Sequence, residues 1–433
     1  MKTITSGDKT FKAAYNRLVH RLRLGKKDVE AATKKILEDV RKEGDRAVLR
    51  YTKKFDRLIL TPQTMQVSKE EIHAARQNAD LNIIKSLQYA RDQIFAFHKK
   101  QKRVNWSIKK NGIYLAERIH PLDAVGIYVP GGTAAYPSSV LMNGIPAQIA
   151  GCNEIYICTP TPEGKLNPYI LIAAEMAHIT KIYRIGGAQA IGALAYGTET
   201  IPKVDKIVGP GNQYVATAKR LVYGTVGIDM IAGPSELLII ADSDANPAYL
   251  ASDLLSQAEH DKEAVVILLT PSLSLWEKVD QEMKRQQDSL ERKKIIVASL
   301  MNHGVTFITK DIEQAIEMAN GIAPEHLSLF VKDPFKIVDQ IIHAGSVFLG
   351  EETPQSLGDY IAGPNHVLPT GGTARFFSPL SVDDFTKKSH LISYSKQALQ
   401  KCGQHLIRIA EVEGLTAHAN MVKIRQHGSK VRG

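Results

Sequence analysis

Cysteine is scarce. The chain carries only Cys152, Cys158 and Cys402 in 433 residues. An odd, sparse set offers no disulfide framework, and it fits a reducing cytoplasm, where the protein is expected to reside. Cys152 and Cys158 flank the run NEIYI and read as small core residues. Long apolar runs are also missing. No stretch approaches the roughly 18 apolar residues of a membrane-spanning helix, so no membrane association is expected. The opening MKTITSGDKTFKAAYNRLVHRLRLGKKD has no apolar core of a secretory signal. Low-complexity segments and close internal repeats are absent, although AGP occurs at Ala232–Pro234 and again at Ala362–Pro364.

What is present is an ordinary globular composition with a basic balance. The net charge of +10 raises the question of nucleic acid. The basic residues fall in short clusters at Arg17–Lys27, Lys99–Lys110 and Lys423–Arg432, with no zinc-finger or RNP motif beside them. The charge therefore reads as a surface that attracts anionic ligands such as dinucleotides, and no nucleic-acid partner is expected.

Residues 1–120 show the spacing of amphipathic helices, followed by a hairpin-like stretch, VNWSIKKNGIYLAERIHPLD. From Ala124 the pattern becomes strand, turn, helix. Ten candidate strands follow: AVGIYV, NEIYICT, KIYRIG, DKIVG, LLIIAD, AVVILLT, KIIVA, VTFIT, HLSLFV and GSVFLG. Repeated alternation of this kind predicts parallel sheets covered by helices on both faces, and ten strands are too many for one sheet. After about residue 380 the pattern returns to helix and ends in a polar tail.

Four segments could carry chemistry. In DLLSQAEHD (Asp253–Asp261), Gln257 and His260 share a face if the stretch is helical, and imidazole is a good zinc ligand. Taken alone, a helix-terminal His is more often a surface or capping residue. In APEHLSLF (Ala323–Phe330), adjacent Glu325 and His326 offer two titratable groups of different basicity at a helix-to-strand junction, or simply a solvated loop end. LGDYIAGPNHVLPTGGTARF (Leu357–Phe376) sets Asp359 and His366 in a Gly/Pro frame, or is a long turn with incidental polar residues. EVEGLTAHANM holds Glu413 and His418 near the end of the chain, where disorder is common. For a dinucleotide, GPGNQY (Gly209–Tyr214) follows a strand and opens a helix. It lacks the third glycine of the usual fingerprint, and Asp229 lies near the expected acidic position. YVPGGTAAYPSS (Tyr128–Ser139) and GGAQAIG (Gly186–Gly192) are further turns that could present backbone N–H groups to phosphate, or could be packing turns.

Together these blocks resemble one family. IDMIAGPSEL (Ile228–Leu237) followed by DLLSQAEHD is similar to the signature region of histidinol dehydrogenases, and PEHL, LGDYIAGPNHVLPT, EGLTAHA, YVPGG, GGAQAI and GPGN match other blocks of that family in the same order. The resemblance spans about Asp28 to His418. It implies an α/β fold of two Rossmann-like domains with parallel-rich sheets and small helical segments at both ends. The expected division is an N-terminal helical segment 1–24, a first α/β domain 25–127 with 238–380, a second α/β domain 128–237, and a C-terminal helical and tail segment 381–433. It implies one Zn2+ per subunit on Gln257, His260, Asp359 and His418. The same four residues, with Ser235, His326, His366 and Glu413, are implied to contact L-histidinol. Tyr128, Gln189 and Asn212 match NAD-contacting positions, and Glu325 and His326 are the implied acid–base pair. The implied reaction takes L-histidinol through the aldehyde to L-histidine with two NAD+, the last step of histidine biosynthesis, in a homodimer whose active site is shared. A zinc hydrolase would leave the glycine-rich turns without purpose, and a basic binding protein would leave the acidic and histidine blocks unexplained.

Overall fold

The computed structural model describes residues 1–21, 27–131 and 136–427. Parts of the basic clusters Arg17–Lys27 and Lys423–Arg432, and the middle of the turn Tyr128–Ser139, lie outside the described residues. The strands, in chain order, are β1 (Lys2–Thr5), β2 (Trp106–Lys110), β3 (Ile113–Pro121), β4 (Ala124–Tyr128), β5 (Glu154–Cys158), β6 (Lys181–Tyr183) and β7 (Lys206–Val208). They continue as β8 (Gly227–Ile228), β9 (Glu236–Ala241), β10 (Val265–Thr270), β11 (Gly304–Ile308), β12 (His326–Phe330), β13 (Ser346–Leu349) and β14 (Thr386–Tyr394).

Packing groups the chain into two compact units. One comprises Met1–Gln101 and Leu122–Phe385, the other Lys102–Pro121 and Thr386–Gly433. The first unit holds two parallel sheets. The smaller runs β6-β5-β4-β7-β8 and the larger β1-β11-β10-β9-β12-β13. Both are doubly wound: the chain works outward from a central strand, then crosses back to its other side, so each sheet has a topological switch point, at β4/β7 and at β9/β12. Strands buried on both faces read as continuous apolar runs. In β9, Leu237 and Ile239 pack into one core while Leu238 and Ile240 pack into another on the opposite face. In β4, Val125 and Ile127 face one core and Tyr128 the other.

Nine of the ten expected strands form. The tenth, KIIVA, is instead part of the helix Lys293–His303. Its buried residues Ile296, Ser299 and Leu300 recur at helical spacing, a signal that a short β-branched run masks. Two helical expectations also need correction. The expected N-terminal helical segment begins with β1, which pairs with the edge strand β11. The stretch after residue 380, expected to be helix, passes through a short 3-10 turn (Val382–Phe385) into β14, which pairs antiparallel with β3 along its full length. In the second unit β14, β3 and β2 form an antiparallel sheet joined to the helices Lys396–Val412 and Thr416–His427. Among the described residues no helix is long and apolar enough to cross a membrane.

The turn after β7 is held from inside. Asp229 accepts the Gly209 N–H at 2.8 Å and forms an ion pair with Lys219, whose Nζ donates to the Gly209 carbonyl at 2.9 Å. Both side chains are buried. Gly209 has φ +106° and lies so close to the Tyr128 carbonyl that no Cβ fits. The buried pair thus shapes the backbone that carries Asn212. Lys219→Met should strand the Asp229 charge and cost about 3–5 kcal/mol of stability, measured by urea unfolding. A loss below about 1 kcal/mol would show that the pair does not hold the turn.

Candidate active site

The switch point of the smaller sheet places Tyr128 and Asn212 at the carboxyl ends of β4 and β7, where open α/β sheets bind ligands. The Asn212 side chain caps the helix Gln213–Val222 by accepting the N–H groups of Tyr214 and Val215. Tyr128 is buried, and its hydroxyl accepts the Gly187 N–H at 3.0 Å. Burial pushes that phenol up to about 12. Gln189 sits in the first turn of the helix Gly187–Tyr196, buried, with Oε1 lacking a hydrogen-bond partner among the described residues. A cradle of turns with no room for a Cβ at Gly209, a helix N-terminus and an unspent buried amide fit a dinucleotide. Asp229, read as the ribose acid, is spent instead on Lys219 and Gly209.

A second cluster forms at the amino ends of the larger sheet. Glu325 directly precedes β12 and Ser235 directly precedes the neighbouring β9. Glu325 Oε2 accepts the Ser235 hydroxyl at 2.8 Å and the Glu236 N–H at 2.7 Å. His326 Nδ1 lies 2.9 Å from the Glu236 carbonyl, so Nδ1 carries the donated proton and Nε2 faces inward. There it stands 3.6 Å from Asp359 Oδ1, an ion-pair distance rather than a hydrogen bond. Burial pushes the Glu325 carboxyl up to about 7, although His326 opposes the shift. Burial alone would lower His326, but Glu325 and Asp359 outweigh it and raise it to about 9.

Asp359 collects the other imidazoles. His366 Nδ1 lies 2.8 Å from the Asp359 carbonyl, which makes it the donor and leaves Nε2 to accept from Ser139 at 3.2 Å. Ser139 lies in the helix Pro137–Ala150, which follows the Tyr128 turn, so His366 ties this cluster to the smaller sheet. Desolvation holds the His366 imidazole, and that of the more exposed His260, below the ordinary range, against the pull of the Asp359 charge. Gln257 is fully buried with Nε2 unpartnered, and its Oε1 accepts from Gln355 at 3.2 Å. A half-turn of both amides keeps that bond with the roles reversed and frees the Gln257 oxygen as an acceptor.

The first unit therefore holds Ser235, Gln257, His260, Glu325, His326, Asp359 and His366, whereas Glu413 and His418 lie in the second unit, both exposed. Among the described residues no three His, Cys, Asp or Glu side chains form a metal cage. Sequence reasoning missed Glu236, Arg21, Ser139 and Gln355. Glu236 alone left a trace, as a charge opening the apolar strand ELLIIA.

Two doubly wound sheets, one with a nucleotide-type cradle and the other with a buried carboxylate–imidazole cluster, define an α/β oxidoreductase. The histidinol dehydrogenase family model matches residues 19–426, and the chain belongs to that family. It is 50% identical over 426 residues to the histidinol dehydrogenase of Syntrophotalea carbinolica, covering 98% of this chain and 99% of that one. It is 53% identical over 407 residues to that of Clostridium acetobutylicum, covering 93% and 94%. The crystal structure of histidinol dehydrogenase from Elizabethkingia anophelis superposes with a TM-score of 0.92 at 42% identity, covering 98% of each chain.

Titration of His326 in chelator-treated protein provides a test. Its imidazole should gain its proton as pH falls through about 9, and Asp359→Asn should move that midpoint downward, both followed by NMR. An unshifted midpoint in the variant would remove Asp359 as a cause.

Proposed function

We propose that the protein oxidises L-histidinol through L-histidinaldehyde to L-histidine, with two NAD+ as hydride acceptors. Family membership over nearly the whole chain supports the reaction, and the juxtaposition of Glu325, His326 and Asp359 carries the chemistry. His260, Asp359, the Gln257 amide oxygen and His418 would hold Zn2+. A neutral imidazole, a carboxylate and an amide oxygen suit that ion in type, and the unpartnered Gln257 amide supports the fit. When bound, the zinc would orient the substrate's imidazole and amino nitrogens, and the nicotinamide would accept hydride at the carbinol carbon.

The chain's own groups do the rest. Neutralising the Asp359 charge removes one cause of the raised His326, which readies Nε2 to take the alcohol proton. As that proton leaves, hydride departs from carbon and the aldehyde forms. The aldehyde then adds water. Glu325, held high by burial and steadied by Ser235, takes the proton that water sheds. Once His326 has passed that first proton to solvent, it accepts a hydroxyl proton from the hydrate while a second hydride leaves, giving the carboxylate. The balance is one alcohol and one water to one carboxylate, two hydrides and three protons. His366 and Ser139 fix one wall of the pocket, and Glu413 adds a carboxylate for the substrate's amine.

Glu413 and His418 would reach the site of a second copy of the chain. Supporting this, the second unit exposes a run of large apolar side chains around them, including Ile409, Val412, Leu415 and Met421. Dimers with two-fold symmetry would form two equivalent sites. NAD would be contacted by Tyr128, Gln189 and Asn212, and the enzyme would work in the cytoplasm.

Zinc-loaded enzyme should yield two NADH per histidinol without free aldehyde; one NADH with aldehyde released would refute the reading. With aldehyde supplied directly, Glu325→Gln should be slowed by about 10²-fold or more, whereas normal aldehyde oxidation would dismiss its role in hydration. Subunit mixing tests the shared site. His326→Asn and His418→Asn should each be nearly inactive alone. Co-refolded together they should regain up to about a quarter of wild-type activity, because a mixed dimer gathers both defects in one site. No recovery would mean that each chain completes its own site.

A further inference from the structure

Dinucleotide folds of this kind read the adenosine ribose with an acid at the end of the second strand. Here the second strand of the β4–β5–β6 half opens on Glu154, but its far end, Cys158-Thr159-Pro160-Thr161, where the ribose acid would sit, carries no carboxylate. Asp229 is committed to Lys219 and the Gly209 N–H. The ribose would therefore lack an acid unless another element supplies one.

Asp56 is placed to do so. It ends the helix Asp45–Asp56, which packs against the helix Gly187–Tyr196. The two run antiparallel: Asp45, at the start of one, accepts from the Thr200 hydroxyl beyond the end of the other at 2.5 Å. The Asp56 end therefore lies toward the N-terminus of the helix Gly187–Tyr196, near enough to the Tyr128 hydroxyl, which accepts the Gly187 N–H, for the Asp56 charge to act on it. The chain then runs past the loop that follows β5, where a Cβ on Gly164 would stand 3.5 Å from Leu58. Asp56 is thus bracketed by the loop after β5 and the turn after β6. Its Oδ2 is buried with no hydrogen-bond partner among the described residues, and the same holds for Thr159 Oγ1, Thr161 Oγ1 and Gln189 Oε1. Gln189, 1% exposed, turns its Oε1 back over the first turn, 2.8 Å from where a Gly187 Cβ would sit. Four buried polar atoms without partners at one end of one sheet mark a place for a ligand rich in hydroxyl donors. Burial holds the Asp56 carboxyl above its usual range. A diol that donates two hydrogen bonds would relieve that cost; a phosphate dianion would aggravate it.

We propose that Asp56 reads the adenosine ribose of the dinucleotide, accepting hydrogen bonds from the 2′- and 3′-hydroxyls and rejecting a 2′-phosphate. The proposal rests on the dinucleotide reading above, and it makes the site selective for NAD over NADP. The test is calorimetric titration of the full-length, zinc-loaded protein with NAD and with NADP. Wild type should bind NAD at least about 100-fold more tightly. Asp56→Asn should weaken NAD by about 10-fold and leave NADP unchanged or improved, so that the preference shrinks by at least that factor. Asp56→Glu, which keeps the charge, should lose NAD affinity yet still reject NADP. A wild-type protein that binds NADP as tightly as NAD overturns the proposal whatever the variants do, as does a folded Asp56→Asn protein with its preference intact. Wild type binding neither nucleotide would overturn the dinucleotide reading itself, and this proposal with it.

Discussion

A carboxylate buried at the first residue of a central strand needs a cation, and the end of the larger sheet that carries Glu325 and His326 depends on how Glu236 obtains one. Arg21 meets it through two charge-assisted hydrogen bonds, both side chains being nearly inaccessible. The same guanidinium donates to the carbonyls of Ile322 and Ala323, and Ala323 holds φ +51°, a conformation that a residue with a Cβ adopts only under constraint. Two residues later comes Glu325. Glu236 returns the connection, donating its N–H to Glu325 Oε2 and accepting from Gly371 N–H at 3.1 Å. One ion pair therefore fixes the strand start, the strained helix exit and the Gly371 turn together. Removing Arg21 would leave a charge buried beside two raised groups, a larger disturbance than the loss of a surface pair.

This arrangement explains why the cluster sits at the amino ends of its strands, against the usual placement of ligands in open α/β sheets. The smaller sheet follows the usual rule, with Tyr128 and Asn212 at carboxyl ends. In the larger sheet the helix Pro247–Ala258 runs back from β9 and delivers His260 to the amino ends, while Glu325 and Ser235 arrive there just before their strands begin. His366 bridges the two regions through Ser139. In the proposed reaction, a hydride acceptor held at one sheet and the proton acceptor His326 on the other would both belong to one compact unit.

The strand pattern was legible because strands buried on both faces announce themselves as apolar runs, and the two-sheet count followed from their number. KIIVA failed for the same reason the others succeeded. A run of four apolar residues has no period of its own, and only Leu300, further along, reveals the helix. β14 was hidden because most of its residues are exposed, so no alternation marks it. Motif spacing brought Glu325, His326, Asp359 and His366 into view as separate segments. Their convergence depends on strand order, which no local pattern encodes.

Asp229 and Asp56 mark the limit most clearly. Spacing from GPGN selected Asp229, because an acid about 20 residues beyond such a turn is the usual ribose partner. Whether an acid is free to accept from a ligand depends on what already surrounds it, and Asp229 is taken up by a lysine ten residues from Gly209, on the inner face of the following helix, together with the Gly209 and Met230 N–H groups. Asp56 belongs to no motif and comes from a helix far earlier in the chain. It becomes visible only when the helices are packed and the hydrogen bonds counted, because what singles it out is an absent partner. Residues that spend their polar atoms on the fold and residues that keep them in reserve look alike in a sequence, and for these two aspartates that difference separates an acid spent on the fold from one with a buried oxygen still unpartnered.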